Sequence, residues 1–365
     1  MYMQNHTTTY PVAGRRVRVP AIGILLLLVL ACITGGSCKK GFSSDQFVDD
    51  KIVVLAEISA ADSIRVPVGK TIKAGGGNVI RFEKINDATV VLTEEKTNSV
   101  VLQPSFLPQF ASNPTTVFTT RRRFKSNTHY TVLINHPTLG VVTATTLIPP
   151  YPRLTAVDTS TQLFQNKSLL AADITWLDTQ DKPEYYVIEA LKELLKIGHY
   201  FIYQGVRYDY DSDKGKAMYM QISTIPPGVK ILTDTTSLNK FVRLGLYTQD
   251  QNTENVRIDN LDNAFRRIFL RDNNFGGQSY TTRVYIDPQF FKASSPSQKG
   301  RVRLQLKSAS KELYDYFVLY EKYKTDFGSV PANQLSSPDG NIQNGIGIFG
   351  GSAKREKIYY FDDLH

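Results

Sequence analysis

The chain has 365 residues, a formal net charge of +9 and two cysteines. This length is sufficient for two domains with hydrophobic cores of their own, whereas two cysteines exclude a disulfide-rich scaffold. A basic protein suits anionic neighbours, and the export signal described next argues against nucleic acid as one of them.

The N-terminal segment, residues 1–37, has the pattern of a secretory signal peptide. Arg15, Arg16 and Arg18 form a positive region, and a mainly apolar run follows from Ala21 to Ile33. Because a bilayer span needs about 20 apolar residues, this run is too short for a transmembrane helix. An N-terminal membrane anchor remains the alternative interpretation.

The two cysteines, Cys32 and Cys38, both lie at the end of this segment. Signal peptidase of the lipoprotein class cleaves before a cysteine that follows small residues, and Gly35, Gly36 and Ser37 precede Cys38. We therefore predict that Cys38 is acylated, with Cys32 as the alternative site. A further alternative is an ordinary secreted protein without acylation. Each buried methylene of an acyl chain contributes about 0.8 kcal/mol, so multiple acylation would attach the protein firmly to a membrane.

The rest of the chain is predicted to be mainly β, with two β-sandwich-like domains. Residues 38–50 are polar and indicate a flexible tether. Residues 51–149 contain short β-rich runs separated by turn signals, which is typical of an immunoglobulin-like sandwich. The prolines of "IPPYPR", residues 148–153, indicate a boundary, and residues 150–365 form a second β-rich domain. Within that domain "SLLAADITWLD" and "YYVIEAL" predict a hairpin, while "EALKELLKI" fits a helix or a strand.

One amphipathic helix is predicted in the C-terminal half, at about residues 309–326. Ser308 or Ser310 can cap its start, and Gly328 followed by Pro331 can end it. Between them, apolar and aromatic residues recur at helical spacing: Leu313, Tyr316, Phe317, Tyr320 and Tyr323.

The stretch "NGIGIFGG" reads as G-x-G-x-x-G at Gly345, Gly347 and Gly350. Dinucleotide binding requires a following helix and an acidic residue roughly 20 positions later. The sequence printed after Gly351 holds no such unit. The glycines are therefore predicted to let a strand run close to a neighbouring backbone.

Two charged stretches are candidate binding sites. "DYDSDKG" places Asp209, Asp211 and Asp213 at alternate positions, which suggests a weak calcium site or else a solvated acidic turn. It is not an EF-hand, because that loop needs Gly at its sixth and Glu at its twelfth position, where this chain has Lys214 and Met220.

The second charged stretch is "TTRRRFK". If it is a strand, alternation places Arg121, Arg123 and Lys125 on one face as a ridge that could bind phosphate or carboxylate groups. The alternative is that these charges protect a sheet edge from pairing with other chains. We find no zinc-binding histidine spacing and no G-x-S-x-G elbow, and we predict no catalytic residue, cofactor or metal beyond the weak calcium site.

Several stretches occur in an order that resembles a known family. They are "SCKK", "IVVLAEISAADSIRVPV", "ATVVLTEE", "HYTVLINHPTLGVVTATTLIPP", "ITWLDTQDKPEYYVIEA", "LKSASKELYDYFVLYEKYKTD" and "GNIQNGIGIFGGSA". Together they resemble the Bacteroidota lipoproteins of domain of unknown function number 4249. The resemblance implies an outer-membrane lipoprotein whose first domain is immunoglobulin-like or carboxypeptidase-regulatory-like. It also implies proximity to TonB-dependent receptors and brings no catalytic residues.

These observations predict a lipid-anchored protein of the cell envelope that acts as a noncatalytic binding or accessory subunit, with a TonB-dependent nutrient receptor as partner. An envelope hydrolase acting on glycans or peptides is the alternative, with Asp209, Asp211 or Asp213 as acid and base. A purely structural lipoprotein is a further alternative. The acidic run that often follows the cysteine of surface-exported lipoproteins is absent, so the periplasmic and cell-surface faces both stay open.

Overall fold

The computed structural model divides the chain into two units, Met1–Gln46 and Phe47–His365. The described residues are 50–73, 80–96, 98–106, 115–179, 183–222, 229–255, 264–291, 298–326 and 340–361. The predicted signal peptide, Cys32, Cys38 and nearly all of the predicted tether lie outside them.

The chain is mainly β, as predicted. Within the described residues the strands are β1 (Ile52–Ser59), β2 (Ser63–Lys73), β3 (Ile80–Lys84), β4 (Thr89–Glu94), β5 (Asn98–Ser105), β6 (Thr116–Arg123), β7 (Thr128–His136), β8 (Gly140–Ile148), β9 (Arg153–Phe164), β10 (Lys167–Leu177), β11 (Tyr185–Tyr203), β12 (Val206–Asp209), β13 (Leu232–Arg243), β14 (Ile268–Arg271), β15 (Ser279–Ile286), β16 (Gln298–Ala309) and β17 (Ile346–Tyr360). The two α-helices of the same residues are α1 (Asp213–Ile222) and α2 (Lys311–Asp326).

Alternating side chains explain why these segments are strands. In β7, Tyr130, Val132 and Ile134 are buried, while the alternate residues His129, Leu133 and Asn135 are exposed. Successive side chains of a strand point to opposite faces, so one face of β7 packs into the protein interior. Each fully buried side chain of this size stabilises the fold by about 1.5–3 kcal/mol.

The C-terminal strand β17 connects the two halves of the main sheet. The strands of this sheet follow the order β12-β11-β16-β17-β1-β2-β6-β5-β4-β7-β8, with β13 and β14 pairing to β11 and β3 to β2. The first part of β17 runs parallel to β1, and its second part runs antiparallel to β16. A separate three-stranded sheet has the order β15-β10-β9.

Four groups of buried apolar residues lie in the described part of this framework, and the smallest contains Phe164 of β9 and Tyr285 of β15. The first is formed by β1, β2 and β4–β8 and includes Phe349 and Ala353 of β17. Residues 51–149 therefore share their core with the C-terminal strand, which crosses the predicted boundary near residue 150. The second group surrounds Trp176 and lies between the three-stranded sheet and β11, β14 and β16. The third lies against α2 and includes Phe269 and Tyr314.

The helix predicted at about residues 309–326 corresponds to α2, Lys311–Asp326. Ser310 precedes it, and its side-chain oxygen accepts a hydrogen bond from the Leu313 N–H at 3.4 Å. The predicted end at Gly328 and Pro331 lies outside the described residues. Among the residues that the structure describes, no helix has the length and apolar character needed to cross a membrane.

The ambiguous segment "EALKELLKI" is a strand, since it belongs to β11. Residues 186–196 of β11 pair with β16 without interruption. Tertiary pairing of this kind overrides the helix propensity of Glu, Leu and Lys. The short helix α1 was not predicted from the sequence.

Candidate functional site

The glycines of β17 allow close contact with its neighbours, which confirms the structural interpretation of "NGIGIFGG". Gly347 has a φ of +105°, and a Cβ there would lie 2.0 Å from the Val54 carbonyl oxygen. A Cβ on Gly350 would lie 2.5 Å from Leu313 Cβ of α2. Larger side chains at these positions would push β1 and α2 away from β17.

A cavity of about 540 Å³, which we name the seam cleft, lies between strands β7 and β8 and the start of α2. Its lining comes from β7, β8, the prolines at 149 and 150, the segment before β11, the end of β16 and the first turn of α2. The lining residues are Asn127, His129, Thr145, Thr146, Leu147, Pro149, Pro150, Thr179, Pro183, Glu184, Tyr185, Ser308, Ala309, Ser310, Lys311 and Glu312. Ligand cavities occur preferentially at such junctions.

One wall of the seam cleft contains a proton-sharing cluster of acids. The Tyr186 hydroxyl contacts Asp178 Oδ1 at 2.7 Å and also contacts Glu184 Oε2. A hydroxyl has a single proton, so it can donate to only one of these carboxyl groups. Burial, together with the nearby Asp178, raises the pKa of Glu184 and outweighs its hydrogen bonds from Thr179 and Tyr186. The cleft wall therefore holds a carboxyl group that retains its proton to a higher pH than usual.

A second cavity of about 280 Å³, which we name the arginine pocket, lies along the middle of α2. Three arginines and three aromatic residues contribute to it. Its lining residues are Leu55, Glu57, Arg243, Arg266, Arg267, Leu313, Tyr316, Phe317, Tyr320 and Ile348.

Glu189 is the centre of a buried charge network beside the arginine pocket, and its side chain is 1% exposed. Its Oε1 lies 2.7 Å from Arg267 Nε and 3.0 Å from Arg243 Nε, and its Oε2 lies 2.8 Å from Lys307 Nζ. Burial alone would raise the pKa of Glu189, but the three cations together lower it to about 2. The carboxylate is therefore charged at neutral pH and committed to ion pairs.

The network extends to both sides of Glu189. Lys307 Nζ also lies 2.8 Å from Oε1 of Glu57, whose side chain is 26% exposed. Arg267 reaches Glu321 Oε1 at 3.4 Å and stacks on the Phe317 ring, with 3.9 Å between the guanidinium carbon and the ring centroid. These contacts fix the charged side chains that form the base of the arginine pocket.

The predicted arginine and lysine ridge is divided by the end of a strand. Arg121 and Arg123 lie in the exposed last part of β6, which ends at Arg123. Lys125 follows the strand, and its Nζ lies 2.5 Å from Glu94 Oε1. Arg123 Nη1 donates to the Ala61 carbonyl oxygen at 3.3 Å. The proposal that these three residues bind an anion together stays a prediction.

The three predicted calcium ligands lie between β12 and α1. Asp211 Oδ2 accepts a hydrogen bond from the His199 backbone N–H at 2.8 Å, and Asp211 Oδ1 lies 3.0 Å from His199 Nδ1. These hydrogen bonds lower the pKa of Asp211. Asp209 ends β12, and Asp213 begins α1. No cluster of three or more His, Cys, Asp or Glu side chains suited to a metal ion occurs among the described residues. A calcium site made of Asp209, Asp211 and Asp213 stays a prediction.

Residues 42–358 match the family described as domain of unknown function (DUF4249). The chain belongs to this family. The resemblance inferred from its sequence motifs is thereby confirmed. No curated protein matches the chain.

The DUF4249 match includes every residue that lines the seam cleft and the arginine pocket. Both cavities are therefore formed within the family domain. Sequence reasoning missed the network around Glu189. The available signal was the stretch "RVRLQLK", residues 301–307, in which charged or polar residues alternate with apolar ones. From residue 304 onward this strand is buried on both faces.

Proposed function

We propose that this DUF4249 protein is a lipid-anchored, noncatalytic binding or accessory subunit of the cell envelope. In this proposal Cys38 is acylated, the protein resides at the outer membrane, and it works beside a TonB-dependent nutrient receptor. The leader pattern before Cys38 supports the anchor. The seam cleft supports the binding role, and it is the observation on which the proposal depends most.

Two hydroxyl groups at the seam cleft, those of Ser310 and Thr146, are engaged in hydrogen bonds within the protein. Ser310 Oγ accepts hydrogen bonds from the Leu313 N–H at 3.4 Å and the Gly351 N–H at 3.3 Å. The Thr146 hydroxyl lies 3.1 Å from the same oxygen and receives the Gly351 N–H at 3.0 Å. A hydroxyl engaged in this way is poorly placed to act as a nucleophile, because activation requires an adjacent base. The cleft therefore suits binding better than covalent chemistry.

The finer fold assignment belongs to the same proposal. Strands β1, β2 and β4–β8 contribute to one apolar core, which supports an immunoglobulin-like or carboxypeptidase-regulatory-like first domain. Strands β9, β10, β11, β14, β15 and β16 contribute to the Trp176 core, which supports a second sandwich-like domain.

The anchor is tested with two matched variants, Cys38→Ser and Cys32→Ser. We expect Cys38→Ser to move the protein into the soluble fraction and Cys32→Ser to leave it in the membrane. Mass spectrometry of the N-terminal peptide should show acyl chains on Cys38. If Cys38→Ser stays in the membrane fraction and Cys32→Ser leaves it, Cys32 is the acylated residue. If both variants stay in the membrane fraction, the lipoprotein assignment is overturned.

The accessory role is tested by affinity purification of the tagged protein from its own membranes after crosslinking. We expect a TonB-dependent receptor among the crosslinked proteins. Recovery of the protein without any receptor, from membranes in which the receptors are present, would overturn this role.

An envelope hydrolase is the second candidate function, and Glu184 is the residue that favours it. A carboxyl group with a raised pKa beside a cavity has the property required of a general acid. Glycan and peptide substrates should be screened with the wild type, Glu184→Gln and the control Glu312→Gln, which changes another acid of the same cleft. Hydrolysis that is lost only in Glu184→Gln would establish this alternative.

A further inference from the structure

We propose that the arginine pocket binds a small carboxylate that carries a ring. This inference rests on the binding role proposed above and gives that role a ligand class. Acidic monosaccharides and aromatic acids are two sources of the same chemistry, and the experiment below distinguishes them.

The first support is the balance of charge around the pocket. The acids Glu57, Glu189 and Glu321 are matched in number by Lys307, Arg267 and Arg243, and the ion pairs described above connect them. Arg266 also lines the pocket, is exposed, and has no hydrogen-bond or ion-pair partner among the described residues. Among the described charges of the pocket and its network, four cations therefore face three acids.

The pairing of Arg243 is also incomplete. Its Nε atom is buried and lies near Glu189, yet it makes no hydrogen bond of acceptable geometry within the described residues. A guanidinium group binds a carboxylate best when two parallel N–H groups reach its oxygens. The exposed Arg266 thus supplies the donors that an incoming carboxylate requires, and Arg243, whose Nε faces Glu189, belongs to the same lining.

The second support is the aromatic wall. Phe317 is already covered by the guanidinium group of Arg267. Tyr316 is half-buried and Tyr320 is 44% exposed, and both line the same pocket. Tyrosine rings offer flat apolar surface for a planar or sugar ring and a hydroxyl for a hydrogen bond. The pocket thus combines the exposed Arg266 with ring surface.

The third support is the rigidity of the base of the pocket. Glu189 lies on β11 and Lys307 on β16, two strands that pair continuously, and Arg267 directly precedes β14, which also pairs with β11. Side chains that are ordered before binding lose little conformational entropy when a ligand arrives. A volume of about 280 Å³ limits the ligand to a small molecule.

The test is calorimetric titration of the full-length protein in mild detergent with galacturonate, benzoate and the neutral sugar galactose. We expect one of the two acids to bind, and we expect galactose to bind at least roughly tenfold more weakly. Galacturonate binding would identify an acidic sugar as the ligand type, whereas benzoate binding would identify an aromatic acid. Raising the salt concentration should weaken the binding of the acid, because the pocket is open to solvent.

Arg266→Gln should weaken binding of the acid by roughly tenfold or more, and Tyr320→Leu should weaken it as well. Arg122→Gln is the matched control, because Arg122 is an exposed arginine of β6 that does not line the pocket. Equal binding of galactose and the acid, unchanged binding by Arg266→Gln, or no binding of either acid would overturn the inference. If a receptor still co-purifies in that case, the proposed function stands and only the ligand assignment falls.

Discussion

Replacement of Glu189 by Gln tests whether the buried charge network stabilises the fold. The depression of the Glu189 pKa from 4.5 to about 2 corresponds to about 3 kcal/mol, at roughly 1.4 kcal/mol for each pH unit. Removing one member of a buried ion pair typically costs about 3–5 kcal/mol, because the remaining charges lose their partner. Glu189→Gln leaves Lys307, Arg267 and Arg243 without their shared carboxylate. We therefore expect the free energy of unfolding to fall by about 3–5 kcal/mol.

The assay is urea unfolding followed by the fluorescence of Trp176, the single tryptophan, which is fully buried. Glu356→Gln is the matched control, since Glu356 pairs with Arg303 on the same sheet but is 27% exposed. We expect the control to lose less than about 1 kcal/mol.

The pH dependence supplies a second readout of the same prediction. The folded pKa of Glu189 lies below its ordinary value of 4.5, so its contribution to stability is present above about pH 4.5 and is lost as the pH falls toward 2. The stability of Glu189→Gln should therefore decline less than that of the wild type over this range. A loss of less than 1 kcal/mol at neutral pH, or parallel acid titrations of the two proteins, would refute the reasoning.

Three further predictions concern single residues near the seam cleft and β17. The pKa of Glu184 is raised in the folded protein, so its contribution to stability is present at low pH and is lost as the pH rises through that pKa. We therefore expect Glu184→Gln to have the melting temperature of the wild type at pH 4 and a higher melting temperature than the wild type at pH 8. Gly351→Ala should lower the free energy of unfolding by about 1–3 kcal/mol, because its Cβ would lie 2.2 Å from the Leu147 carbonyl oxygen; Gly198→Ala, with no atom closer than 3.8 Å, should be neutral. Ser310→Ala should cost about 1–2 kcal/mol in urea unfolding, since the start of α2 loses its side-chain acceptor; an unchanged midpoint would count against the capping role.

The elements with strong local signals could be predicted from the sequence. The alternation in β7 and the helical spacing in α2 follow from periods of 2 and 3.6 residues, which single segments reveal. The pairing of β17 with β1 could not be predicted in this way, because it joins residues nearly 300 positions apart in the chain. Local sequence also left β11 undecided, since the strand is selected by its pairing with β16 rather than by its own composition.

The candidate site depends on the same long-range pairing. The arginine pocket takes Glu57 from β1, Arg243 from β13 and Tyr316 from α2, and no periodic pattern relates these positions. The seam cleft likewise combines His129 of β7 with Glu184, which precedes β11. The cysteine at position 38 and the charged stretches could be recognised because each is a local motif. The cavities could not be predicted, because each is lined by residues that are distant in the sequence and meet only through strand pairing.

The small residues of β17 lie beside the ion pair between Glu57 and Lys307. Glu57 lies on β1 and Lys307 on β16, and β17 runs between these strands. Neighbouring strands lie about 4.8 Å apart, so the two side chains must reach across a distance of about 10 Å over the middle strand. Gly350 is the residue of β17 that pairs with Glu57, and Leu313 of α2 packs directly over it. Ser352 then donates its hydroxyl to Glu57 Oε1 at 3.1 Å. The glycine-rich sequence that imitates a nucleotide-binding loop thus lets β1 and α2 pack closely on β17, and the serine that follows it contacts the ion pair at the edge of the arginine pocket.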